Sequence, residues 1–146
     1  MRFLLDQDYT AIVRNEIKDL LLEDYTETKL FTAENMAIAQ IKNNLFGHYD
    51  TDLIFQLWED MDQPDPRNAY VVMITLDCTL YHLYTSLAPE RIPKLRSDRY
   101  QDVLNWLKEV TIGKKTADLP RITDISGTEQ IGFVINSEYD NEDNRW

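Results

Sequence analysis

Cysteine is almost missing from the chain: Cys78 stands alone, so an intrachain disulfide is excluded and a thiolate metal site has no companion ligand. That usage suits a reducing cytoplasm. With only four glycines in 146 residues, there is little material for a phosphate-cradling loop, a nucleophile elbow or a dinucleotide fingerprint, and none occurs. Long apolar runs are missing too. The opening MRFLLDQDY turns polar at Asp6, short of a secretory segment, and no window approaches a membrane span, so a protein neither secreted nor membrane-embedded is expected. Positive charge is scarce: 15 Lys and Arg face 26 Asp and Glu, a net charge of −11, which works against gripping a phosphate backbone.

What is present is enough to fold. A hydrophobic fraction of 43% in a chain of single-domain length supports one buried core. Breakers at Gly47, Pro64 and Pro66, Pro89 and Pro93, Gly113 and Pro120 bound three helical blocks. In the first, about Thr26 to Phe46, Leu30, Ala33, Ala37, Ile38, Ile41 and Leu45 recur at helical spacing, with Gly47 placed for a C-terminal cap. The second, about Arg67 to Leu87, carries Met73, Leu76, Leu80, Leu83 and Leu87 on one stripe and Tyr70, Ile74, Cys78 and Tyr81 on another. Apolar residues on most of its circumference mark a central helix. The third starts after Ser97 as N-cap and sets Tyr100, Val103, Leu104, Leu107 and Val110 on one face before Gly113. Upstream, Asp6 to Leu22 reads as one or two shorter helices.

The predicted architecture is therefore all-α: a compact domain of four or five helices over residues 1–115, followed by a largely non-helical acidic arm over 116–146. Ile131, Phe133 and Ile135 alternate there like a β-strand or one side of a hairpin, and a lone strand needs another edge. Trp146 offers a large aromatic anchor, and Pro120 and Gly127 supply bends. Charges are uneven. Asp50, Asp52, Glu59, Asp60, Asp62 and Asp65 gather without interleaved bases, whereas Arg91, Lys94, Arg96, Arg99, Lys108, Lys114 and Lys115 form a locally basic run suited to an acidic partner or a neighbouring copy.

Candidate chemistry is thin. His48 and His82 lie in different blocks without a second ligand at metal spacing, and the Asp50–Asp62 acids lack the glycine and the terminal glutamate of a calcium loop. Ser86 and Ser97 have no base nearby in sequence. No catalytic residue, metal or cofactor is assigned. Asp77 breaks the most apolar helix, so it needs a cation or several donors, with Arg99 first and Arg67 second as ion-pair partners, or tyrosine hydroxyls such as that of Tyr81.

The segments Asp77-Cys-Thr-Leu-Tyr81-His-Leu83 and Arg99-Tyr100-Gln-Asp-Val-Leu104-Asn-Trp106-Leu107, the latter running on to Gly113-Lys114, resemble the small neck-protein family of Mu-like phages and prophages. The resemblance spans about residues 27 to 120. Departures include Thr79 and Val103 where the family has alanine, and His48 before Tyr49 in place of arginine. It implies that Tyr81, Leu83, Tyr100, Leu104, Trp106 and Leu107 are core positions of the motif. It further implies a virion structural protein: a head–tail connector or head-completion subunit located in the neck. Its expected partners are copies of itself in a ring, the portal protein, tail or neck proteins, and double-stranded DNA passing through unread. Acidic surface fits a channel in which DNA slides. A second reading, from another class, is an acidic DNA mimic or regulatory binder acting on a host protein, monomeric or dimeric at all concentrations.

Overall fold

The computed structural model describes residues 2–20 and 27–122. Ile131, Phe133, Ile135 and Trp146 of the anticipated arm lie outside the described residues. Five α-helices are present among the described residues: α1 (Ala11–Leu20), α2 (Glu27–Leu45), the single-turn α3 (Thr51–Ile54), α4 (Ala69–Leu87) and α5 (Lys94–Thr111). Short 3-10 turns occur at Asp6–Asp8 and Pro89–Arg91. The fold is all-α, with no named strand among the described residues.

α4 is the central helix. It packs against α2, α5 and α1, while α2 and α5 also meet, so three long helices share one core and α1 lies against α4. Val71, Ile74, Cys78, Leu80 and Leu83 are buried around its circumference, together with Ala37, Ile41 and Leu45 of α2 and Val103, Leu107 and Val110 of α5. Thr75 and Thr79, both fully buried, each return their hydroxyl to the carbonyl four residues back at 2.6 and 2.7 Å. The oxygen needs no other partner, and an all-round buried helix can carry it. At the start of α4, the Asn68 side chain accepts from the amides of Tyr70 and Val71, at 2.9 and 3.1 Å.

The structure revises three expectations. α5 begins at Lys94, a turn before the cap assigned to Ser97: Pro93 is the N-cap and the Ser97 amide is already spent on the Pro93 carbonyl at 3.2 Å. Proline fixes a backbone angle that leads into a helix, so the turn beginning at Lys94 costs little to form. Gly47 is not a left-handed cap; Gly113, with φ +85°, is. Finally, the first residues given to the arm return to the helical body. Ala117 is buried and donates its amide to the Tyr49 hydroxyl at 3.0 Å, the Pro120 carbonyl accepts from Asp50, and Arg121 forms an antiparallel bridge with Tyr49. Pro120 is thus part of the body, and the described body extends to Ile122 instead of stopping at Lys115.

Candidate functional site

Asp77 sits on α4 with its side chain 7% exposed and accepts from Arg99 Nε at 2.8 Å. The second cation is Arg96, whose guanidinium lies 3.7 Å from the same oxygen. Arg67, expected in that role, is elsewhere: its guanidinium gives two hydrogen bonds each to Asp65 and Asp8, and its Nη1 also reaches the Phe3 carbonyl at 2.7 Å. Local geometry decides this, because Asp65 is only two residues away and Asp8 is delivered by the 3-10 turn beside Phe3. The competing pull of Asp65 and Asp8 raises the affinity of Arg67 for its proton, and Asp65 is held below the usual carboxylate range by that hydrogen bond. Tyr81 gives no hydroxyl to Asp77 either; its ring stacks on Tyr100 at 3.9 Å and 1°.

Two further networks carry no mark in the expected site. Glu16 of α1 accepts from Arg96 at 3.0 and 2.8 Å and from the Tyr84 hydroxyl at 2.6 Å, joining α1, α4 and α5. Burial opposes its charge, but Arg96 and Tyr84 overcome that and hold the carboxyl below its ordinary value. Glu34 of α2, 3% exposed, accepts two bonds from Arg2 at 3.0 and 2.9 Å and one from the Tyr9 hydroxyl. Burial first, then the Glu34 charge, push the Tyr9 hydroxyl far above its usual range. In each network the carboxylate oxygens are taken by guanidinium and phenol donors. The arrangement fastens helices together and leaves these acids occupied as acceptors.

Of the motif positions, Leu83 and Leu107 are buried in the core. Leu104 is half-buried, and Trp106 lies half-buried against Tyr70, ring centroids 5.0 Å apart. Tyr100 accepts from the Gln40 amide at 2.8 Å, and Gln40 Oε1 meets His82 Nε2 at 2.8 Å. An amide oxygen only accepts, so this placement of Gln40 assigns the proton to His82 Nε2. Burial lowers the His82 pKa and keeps it neutral at physiological pH. The buried Cys78 thiol is pushed up to about 12 by desolvation and by Asp77, which makes it inert.

The basic run does not survive as one patch. Arg96 and Arg99 are spent internally, Lys94 pairs with Asp98 at 2.7 Å and Lys115 with Glu109 at 3.3 Å; Arg91, Lys108 and Lys114 form no ion pair with a described residue. The more enclosed depression lies instead beside α2, between Arg2, Phe3, Phe31, Glu34, Asn35, Ile38, Lys42, Phe55 and Leu57. Among the described residues there is no cluster of three His, Cys, Asp or Glu side chains able to hold a metal, and no helix long and apolar enough to cross a membrane. No protein-family model, curated protein or solved structure matches the chain.

Proposed function

We propose that the chain is a virion structural protein, a subunit of a head–tail connector ring in the neck beneath the portal, joining capsid to tail around a channel for DNA. The observation that carries this reading is the placement of exposed apolar side chains at both ends of one rigid helix. Leu95, 60% exposed, opens α5, and Ile112, 59% exposed, follows its end, roughly 26 Å away along the helix. Near the far end, the Thr111 hydroxyl meets the Asn44 carbonyl of α2, two residues before Phe46, itself 65% exposed. Exposed apolar side chains at two separate places suit a head-to-tail interface, which joins two different surfaces and closes into a ring where the rotation between copies closes.

The electrostatics support the same reading. Glu59, Asp60 and Asp62 stand on an exposed loop and make part of a surface that repels a passing phosphate backbone. The internal ion networks give each subunit a stiff body, which a ring of fixed curvature requires. Electron microscopy of the purified full-length chain tests the proposal: closed rings with a central opening are expected. Particles of one or two subunits at every concentration contradict it and favour the acidic regulatory binder.

A further inference from the structure

The cleft beside α2 combines an apolar, partly aromatic lining with charged groups. Phe31, Ile38, Phe55 and Leu57 supply apolar lining, and the charged groups around it are Arg2, Glu34 and Lys42. Arg2 lies 4.3 Å from the centre of the Phe31 ring while it neutralises Glu34, and Lys42 Nζ lies 5.8 Å from the centre of the Phe55 ring. Arg2 is shared between Glu34 and Asp6, the latter at 3.8 Å. Lys42 is therefore the cation of the lining left without an ion-pair partner among the described residues, and it stands over an aromatic lining in a chain whose net charge is −11. Its volume, roughly 370 Å³, takes one large aromatic side chain with its flanking backbone.

Such a site asks for an aromatic residue embedded in acidic sequence. This chain contains one: Glu138-Tyr-Asp-Asn-Glu-Asp-Asn-Arg-Trp146 carries four acids and two aromatics within nine residues. It is also within reach. The Ile122 amide donates to the His48 carbonyl at 3.2 Å, just past the end of α2, and Lys42 lies about 4.5 Å back from the last residue of that helix. The stretch from Ile122 to Glu138 spans up to about 50 Å when extended, enough for its own cleft or that of an adjacent copy.

We infer that the Arg2–Lys42 cleft is the docking site for the acidic aromatic segment Glu138–Trp146 of a neighbouring copy, with an aromatic ring on the phenylalanine lining and carboxylates toward Lys42. This rests on the ring reading for the identity of the donor copy, not for the complementarity itself. Aromatic anchors in pockets with charged rims supply much of the energy of many interfaces. Charge-assisted bonds to Lys42 would set the register.

Disulfide trapping in the full-length chain tests it. Asn35→Cys at the cleft is combined with Arg145→Cys; the native Cys78 is buried and stays out of the reaction. Mild oxidation is expected to join two chains in far higher yield than the pair of Arg145→Cys with Ser86→Cys, an exposed position on α4. Adding Lys42→Glu should lower the yield about tenfold or more, while Lys42→Arg keeps it. Circular dichroism of both variants checks that the helices persist. A 35–145 product confined to one chain sustains the cleft assignment and contradicts exchange between copies. A yield no higher than the Ser86 control, or one indifferent to Lys42→Glu, overturns the cleft assignment, and ring formation is then judged on the microscopy alone.

Discussion

At the scale of single residues, the protein is organised by carboxylates buried in guanidinium, and the partners are unequal. Arg96 serves both Glu16 and Asp77 with its side chain 10% exposed, whereas Arg99 is 40% exposed and serves Asp77 alone. Arg96→Ala leaves Glu16 without its cation and Asp77 with Arg99 alone, and is expected to cost about 3–5 kcal/mol in urea unfolding. Arg99→Ala leaves Asp77 with Arg96, and solvent screens the lost pair, so about 1 kcal/mol is expected. Equal losses would mean that Arg96 is not the hub. The pH dependence follows from the same contacts. Glu16 has a depressed pKa in the folded state, so its contribution is full above the unfolded carboxylate value and disappears as pH falls through the folded one. His82 is also depressed, so the fold prefers its neutral form, and stability is lost as acid protonates it below the ordinary histidine value. The urea midpoint should therefore decline in two windows, below the ordinary histidine value for His82 and below the ordinary carboxylate value for Glu16; a profile flat through either window would contradict that assignment. Asp77 announced its need for a partner because it broke an apolar stripe. Glu34 carries the same signal between Leu30, Ala37 and Ile41, but a stripe with one acid still reads as amphipathic. Nothing in the order of residues says that Arg67 prefers Asp8 and Asp65.

Among the elements, the three long helices were legible because each shows apolar periodicity over several turns, and α4 as the central one because its apolar residues go all the way round. Their ends were less legible, since capping depends on backbone angles that several residues satisfy. Ser97 looks like a cap, yet placing the start at Pro93 puts Arg96 in register with Tyr100, Val103, Leu107 and Val110 on the buried face. The two glycines that follow helices differ in the same way. Gly113→Ala is expected to cost about 1 kcal/mol, because φ +85° disfavours any side chain although the space around it is open. Gly47→Ala meets open space without a left-handed backbone, so it should be neutral or stabilise by up to about 1 kcal/mol. Thermal unfolding of the two variants side by side checks the contrast, and the reverse order would refute it.

For the whole molecule, the decisive boundary is the one between the helical body and the sequence beyond Ile122. Composition turns from helical to acidic and alternating after Gly113, which located the change but not its edge. The edge is set by contacts to Tyr49, His48 and Asp50, and these involve backbone groups that composition does not reveal. Deleting the chain after Lys115 removes three hydrogen bonds, at about 1 kcal/mol each, together with buried Ala117, and should weaken the body measurably. Deleting it after Ile122 leaves all of these in place. The most direct test of the central claim is therefore native mass spectrometry of the full-length chain beside the chain cut after Ile122, each first shown to be helical. The account predicts closed oligomers of one defined size for the full chain and folded single subunits for the shortened one. Single subunits for both would contradict the ring, and identical oligomers for both would contradict the part assigned to the sequence beyond Ile122.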